Sequence, residues 1–259
     1  HPIFIHRSAS VNIDGVRNCL EAARSAGVDV YIFTSSGSIT IKPARYLLWP
    51  WESDCEEWVQ VINDDTELPK TQSEHVSNYG ATKAAGERLV READKTAVAG
   101  GRLMRTGAIR PTNGVFGARG DILTEACIVR KISPIWVHTC RSNFHYVENC
   151  ALAHLLYEAR LVALINQDAE EARAVQSHDS GHPVRHERRR LPDIGGQAFL
   201  IMDPGPSPTY AETNAILSEA TRGECRFLGV SPTALLLLAH IVEFYHINQY
   251  RLGNALQHL

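Results

Sequence analysis

VNIDGVRNCLEAARSAGVDVYIFTSSGS, residues 11–38, changes periodicity within one short stretch. Ile13, Val16, Leu20 and Ala23 recur at intervals of three and four, which places them on one stripe of a helix over 11–26. Gly27 stands where a left-handed cap would end that helix. Val30, Tyr31, Ile32 and Phe33 then run without a polar break, as in a strand of a parallel sheet covered on both faces. A helix feeding such a strand predicts an α/β fold.

The rest of the chain keeps the alternation. Ala81, Ala85, Leu89 and Ala93 share a stripe of a helix over 79–94, and residues 100–117 read as a strand running into a Pro/Asn/Gly loop. A helix is predicted over 147–164, a short strand over 196–203 and a helix over 210–220. Helices and strands in turn give a mostly parallel sheet with helices on both faces. Residues 41–76 read as a long loop, and the polar, mixed-charge residues 168–194 as a mobile surface excursion.

The 259 residues suit one larger domain or a core with a small appendage, and 44% hydrophobic residues can fill a core. A net charge of −3 gives no electrostatic reason to expect nucleic acid. The six cysteines (Cys19, Cys55, Cys127, Cys140, Cys150, Cys225) form no CxxC pair and read as free thiols in a reducing compartment. Cys140 with Cys150 is the pairing considered, and it is the less favoured reading. His178, His182 and His186 are spaced by four, but Gly181 and Pro183 interrupt a helix there, so no metal is expected. HERRR, residues 186–190, reads as a solvated basic cluster rather than a phosphate contact. No signal peptide opens the chain and no Met begins it, so His1 is read as not the natural start. SPTALLLLAHIVEFY, residues 231–245, has too short an apolar run to span a bilayer and reads as a buried or membrane-resting helix.

The chemistry gathers where the first strand ends. TSSGS, residues 34–38, puts hydroxyls at the C-terminal end of a parallel strand, the edge at which open α/β sheets bind ligands. Tyr79 and Lys83 open the next helix, and i to i+4 spacing stacks them on one face. A phenol with a reference pKa of about 10 is a poor acid–base group at neutral pH. A neighbouring ammonium favours its phenolate and brings it toward the working range. A serine hydroxyl beside them can hold a substrate oxygen.

VNIDGVRNCLEAARSAGVDVYIFTSSGSI, YGATK, RTGAIRPTNGVFG, NFHYVENCALAHLL and GQAFLIMDPGP, taken in order over about residues 8–245, resemble the extended short-chain dehydrogenase/reductase superfamily. The resemblance is nearest to its 3-beta-hydroxysteroid dehydrogenase branch, which includes sterol-4-alpha-carboxylate 3-dehydrogenases. It implies a Rossmann-like core for NAD or NADP over residues 1–140. Residues 141–259 would mix returning core elements, a small substrate cap and an apolar C-terminal helix. It implies Tyr79 as catalytic acid/base, Lys83 as the lysine that binds the nicotinamide ribose and tunes the tyrosine, and Ser36 as the serine, with Ser35 its adjacent competitor. Pro111, Thr112 and Asn113 would meet the cofactor's nicotinamide end, while Tyr146, Glu148 and Asn149 would be architectural. A sterol-like or polycyclic alcohol or ketone is the implied substrate. A cytoplasmic location, extending to the endoplasmic reticulum surface through 231–245, follows, and a homodimer stays open.

One part of the superfamily pattern is missing. No glycine cluster of the GxxGxxG type lies between a strand and a helix before residue 79, although such a turn seats the cofactor pyrophosphate. The resemblance begins at HRSASVNIDG, so the chain reads as lacking the first quarter to third of a full member. The expectation is an N-terminally truncated sheet with an exposed apolar edge, weak NAD(P) binding by these residues alone, and little turnover. Two alternatives remain: a nucleotide-sugar epimerase or dehydratase of the same superfamily, and a non-catalytic remnant that serves as an interaction module.

Overall fold

The computed structural model describes residues 5–42, 60–112, 114–118, 120–136, 138–177 and 190–257. Its first helix begins before the spacing predicts: α1 (Ile5–Ala9) passes through a wide π-type turn at Ser10–Gly15 into α2 (Val16–Ser25). The helix ends as expected at Gly27, whose φ is 70°. There Val28 N donates to Ala23 O at 3.0 Å, a closing bond that a left-handed glycine permits. β1 (Val30–Thr34) follows directly. α3 (Asn78–Glu92) starts where the Ser77 side chain accepts from Gly80 N, and so caps its first turn.

Beyond α3 come β2 (Thr96–Ala97), β3 (Leu103–Pro111), β4 (Val115–Phe116), α4 (Ile122–Glu125), β5 (Ile132–Ile135) and β6 (His145–Tyr146). The chain closes with α5 (Val147–Ser177), β7 (Ala198–Ile201), α6 (Tyr210–Ala220), β8 (Arg226–Gly229) and α7 (Pro232–Gln257). β3 is the central strand, buried from Met104 to Pro111. β1 and β7 flank it in parallel, with Val30 opposite Arg105 and Ala108 opposite Ala198. Short β2 pairs with β3 antiparallel. Two small parallel pairs, β4 with β6 and β5 with β8, stand off this sheet.

Helices cover both faces of the sheet. On one, Leu20 of α2 and Ala93 meet Met104, with Tyr31 packed against them. On the other, Tyr157, Leu161 and Leu164 of α5 meet Ile109, with Val30 and Ile32 alongside. Val30, Tyr31 and Ile32 of β1 thus alternate between two cores, as a doubly covered strand requires, although they are only half-buried and Thr34 at the strand end is exposed. A buried ion pair fastens α3 to the sheet: Arg110 Nε and Nη2 donate to Glu87 Oε2 and Oε1 at 2.9 and 2.6 Å. At the opposite end of β3, buried Arg105 bonds Asp94 and Asp193.

Two expectations need amending. α5 does not stop near 164 but continues to Ser177, because Asp168–Gln176 is rich in alanine, glutamate and arginine, which sustain a helix without burying a face. Only residues 190–194 of the remaining polar excursion are described, so His178, His182 and His186 lie outside. α7 likewise runs past 245 to Gln257. The predicted loop over 41–76 is irregular where described, apart from a short turn at Gln72–Glu74.

Candidate active site

Because β1 and β3 run in the same direction, Thr34 and Pro111 leave the sheet at one edge. A cleft of about 990 Å³ opens there, near the upper end of the size range of small-molecule sites, about 300–1,000 Å³. Ser35, Ser36, Tyr79, Lys83, Pro111 and Thr112 all line it. Asn113 lies outside the described residues.

The two serines differ. Ser35 N continues the ladder by donating to Ile109 O at 2.7 Å, and its side chain is buried with no hydrogen-bond partner for Oγ among the described residues. Ser36 leaves the strand and caps the turn Gly37–Thr40, where its Oγ accepts from Ser38 N at 3.2 Å and meets Ser38 Oγ at 2.8 Å. Ser38 also lines the cleft, so a third hydroxyl joins the site. The TSSGS stretch contained it, but only the turn reveals that Ser36 and Ser38 face each other.

Tyr79 and Lys83 project from the first turns of α3. The phenol-bearing side chain is 44% exposed, open to a ligand. Lys83 Nζ donates to Thr34 O at 2.8 Å and stands 4.4 Å over the centre of the Phe33 ring. Burial pushes this ammonium below the usual lysine range. Thr34 is itself held from α5. His154 Nδ1 lies 2.7 Å from Cys150 O, which can only accept, so Nδ1 carries the proton. The Thr34 hydroxyl therefore donates to His154 Nε2 at 2.8 Å. Thr112 N donates to Ile201 O at 3.0 Å, joining the exit of β3 to that of β7, while its Oγ1 is buried without a partner among the described residues.

Facing the hydroxyls is an apolar wall. Pro134, Ile135, Trp136 and Phe227 come from the β5–β8 pair and its continuation, Leu217 from α6, with Phe144 and Tyr210 beside them. The Phe144 and Tyr210 rings meet edge to face, 5.9 Å between centres. A capping box fixes the start of α6: Glu212 N donates to Thr209 Oγ1 and Thr209 N to Glu212 Oε2. No motif in the sequence marks this wall, since its residues come from separated segments that meet only through the β5–β8 pairing.

The NFHYVEN stretch makes a joint beside the cleft. Asp203, just past β7, accepts Tyr146 N at 2.9 Å and Asn149 Nδ2 at 2.8 Å, and His145 Nδ1 lies 3.2 Å away. Burial pushes the His145 imidazole below its usual value, against the opposing pull of Asp203. A second cleft, about 760 Å³, lies along α3 and is lined by Lys70, His75, Glu87, Arg88 and Arg91; none of the strand-end hydroxyls reaches it. The chemistry-bearing residues thus meet at the first cleft.

The profile of the 3-beta hydroxysteroid dehydrogenase/isomerase family matches residues 5–224. The 3beta-hydroxysteroid-dehydrogenase/decarboxylase isoform 1 of Arabidopsis thaliana is 30% identical over 159 residues, 60% of this chain and 31% of that protein. The decarboxylating sterol-4-alpha-carboxylate 3-dehydrogenase of Mus musculus is 27% identical over 213 residues, 80% of this chain and 46% of that protein. Both are relatives of which this chain spans less than half. In three dimensions the chain is similar to RMD from Pseudomonas aeruginosa complexed with NADPH, with a TM-score of 0.55, 17% identity and coverage of 88% of this chain and 62% of that one. It is also similar to MoeE5 in complex with UDP-glucuronic acid and NAD, with a TM-score of 0.51, 20% identity and coverage of 85% and 57%. At such identities the likeness speaks for the α/β fold.

Proposed function

The chain belongs to the 3-beta hydroxysteroid dehydrogenase/isomerase family, and on that premise we propose that it carries the catalytic cleft of an NAD(P)-dependent oxidoreductase. The reaction interconverts a ring alcohol and its ketone on a sterol-like or other polycyclic substrate. One observation carries this reading: Ser36, Tyr79 and Lys83 line a cleft at the parallel strand ends, opposite an apolar wall. Phe144, Leu217 and Phe227 suit fused hydrocarbon rings, whereas a nucleotide sugar would set polar groups against them.

The residues fit the nicotinamide end of NAD(P). Ser35 Oγ and Thr112 Oγ1 are buried hydroxyls without hydrogen-bond partners among the described residues, and Lys83 adds a donor in the same cleft. Tyr79, Lys83, Pro111, Thr112 and Asn113 would hold that end. When bound, NAD(P) supplies the hydride acceptor or donor. In the oxidation direction the Tyr79 phenolic oxygen takes the proton from the substrate hydroxyl, and in reduction it returns one. Lys83, anchored on the Thr34 carbonyl, holds its ammonium in the same cleft as Tyr79. Ser36 takes the serine role rather than Ser35, because its Oγ is already turned into the hydroxyl cluster with Ser38. From there it donates to the substrate oxygen.

The test is turnover of a 3β-hydroxysterol with NAD⁺ or NADP⁺ in large excess, so that weak cofactor affinity does not hide the chemistry. Reduced nicotinamide should appear, and Tyr79→Phe should slow it by about 10²–10⁴-fold. Absence of sterol-dependent reduction, or an unchanged rate in Tyr79→Phe, refutes the reading.

α7 supports a membrane-surface location. It exposes Leu237, Leu238, Ile241 and Phe244, and a water-insoluble substrate would enter from a lipid surface that such a helix rests on. Among the described residues no helix is long and apolar enough to cross a membrane.

A further inference from the structure

α5 sets one polar ring among the residues that it turns toward the sheet. Tyr157, Leu161 and Leu164 pack there, and His154 stands with them at helical spacing, after the buried Cys150 one turn before it. The ring reaches the tip of β1. The Thr34 hydroxyl donates to His154 Nε2 at 2.8 Å, while Nδ1 donates to Cys150 O at 2.7 Å. The Cys150 thiol, free and not bridged to Cys140, stands 4.0 Å from Nδ1. With its proton held on Nδ1, the neutral ring can only accept at Nε2, so the Thr34 hydroxyl has one orientation.

That tip has few other ties. Among the described residues β1 pairs with β3 alone, and its other edge is open. Beyond Thr34 the ladder holds it through Ser35 N, which donates to Ile109 O at 2.7 Å. A strand paired on one side opens first at its ends. Yet this end carries the acceptor for the ammonium of the site: Lys83 Nζ donates to Thr34 O at 2.8 Å and stands 4.4 Å over the centre of the Phe33 ring. Burial pushes Lys83 below the usual lysine range, so its charged form relies on that carbonyl.

We propose that His154 is a positioning residue: by holding the Thr34 side chain from α5 it fixes the tip of β1, and with it the carbonyl that aims the Lys83 ammonium at the nicotinamide end of NAD(P). The consequence for the cofactor rests on the oxidoreductase reading; the tie between His154 and Lys83 does not. Thr34 lines the cleft and His154 does not, so the ring acts through Thr34 rather than on a ligand.

The experiment reads Lys83 directly. Reductive methylation with ¹³C-formaldehyde puts two labelled methyl groups on each lysine Nζ and leaves one N–H to donate. Held over the Phe33 ring, the Lys83 methyl signal should lie upfield of the other lysines, and its disappearance in Lys83→Arg assigns it. Thr34→Val and His154→Ala should each return the signal to the ordinary lysine position. His154→Gln, whose amide oxygen can accept from Thr34, should keep it upfield. Titration with NADH and NADPH should show dissociation constants about 3–10-fold higher in Thr34→Val and His154→Ala, the loss of one hydrogen bond. In a Lys83→Ala background, His154→Ala should add no further loss, because the residue acts through Lys83. Urea midpoints confirm that the variants fold, and Thr34→Val carries the test if His154→Ala does not.

A Lys83 signal at the ordinary position in the wild-type protein, or one left upfield by both Thr34→Val and His154→Ala, overturns the proposal. So does a further loss of cofactor affinity when His154→Ala is added to Lys83→Ala. Absence of nucleotide binding or of sterol turnover in the wild-type protein strikes the oxidoreductase reading instead, and the Lys83 signal still decides whether His154 positions the lysine.

Discussion

Removing Glu87 should destabilise the protein more than removing Arg110, and removing both should cost less than either alone. The two residues are 1% and 2% exposed and share two hydrogen bonds, at 2.9 and 2.6 Å, between α3 and β3. Arg110 Nη1 already has no hydrogen-bond partner among the described residues. Glu87→Met would leave the whole guanidinium buried and unpaired, at a cost of about 3–5 kcal/mol. Arg110→Met strands less charge, because Arg91 Nη1 stands 3.5 Å from Glu87 and can screen it, which sets its cost at the lower end of that range. In the double variant two apolar chains of similar length fill the space, with an expected change of about 0–1 kcal/mol. Urea unfolding followed by circular dichroism gives all four stabilities, and the first variant should lower Tm by about 6–20 °C. Additive losses, or a Glu87→Met cost under about 1 kcal/mol, would show that the pair does not fasten the helix carrying Tyr79 and Lys83 to the sheet.

Three further outcomes follow from other parts of the fold. A Cβ on Gly107 would overlap the Tyr157 hydroxyl, which is held in place by donating to Ile194 O at 2.7 Å, so Gly107→Ala should cost about 3 kcal/mol; an unchanged urea midpoint would contradict this packing. Burial holds His75 and His145 below the usual histidine value. The unfolded chain therefore binds more protons as pH falls below about 6.5, and stability should drop there. His145→Gln should flatten that fall, and a wild-type profile already flat across the window would refute it. Finally, α7 exposes Phe244 to 71% and Leu237 to 63%, so the protein should co-sediment with lipid vesicles, and Leu237→Glu with Phe244→Glu should weaken this at least tenfold; equal sedimentation would remove α7 from the membrane reading.

Much of the core could be read from periodicity. The stripe Ile13–Val16–Leu20–Ala23 and the apolar run over 30–33 are local signals, and they became α2, which packs on one face of the sheet, and β1, whose side chains reach the cores on both faces. Gly27 was legible for the same reason, since a left-handed cap is a one-residue requirement. β4, β5, β6 and β8 were not, because strands of two to four residues are stabilised by partners far away in sequence and carry too few positions for an alternation to register. The end of α5 was misjudged at the point where its sequence turned polar: an exposed helix of good helix formers looks like a loop to any reading based on apolar spacing. At the site, the strand-end hydroxyls and the helix-start pair Tyr79 and Lys83 follow from position, the choice of Ser36 with Ser35 and the Pro111–Thr112 loop from the family resemblance, and all of these residues line one cleft. Ser38, His154 and the aromatic wall were missed, since each matters through a contact that the linear order does not display.

A crystal structure of the protein with NAD(P) and a 3β-hydroxysterol bound tests the central claim most directly. The account predicts the ring oxygen about 2.6–3.2 Å from both Tyr79 Oη and Ser36 Oγ, with the fused rings against Phe144 and Phe227. A sterol seated elsewhere, or in this cleft with its oxygen turned away from Tyr79, would contradict it.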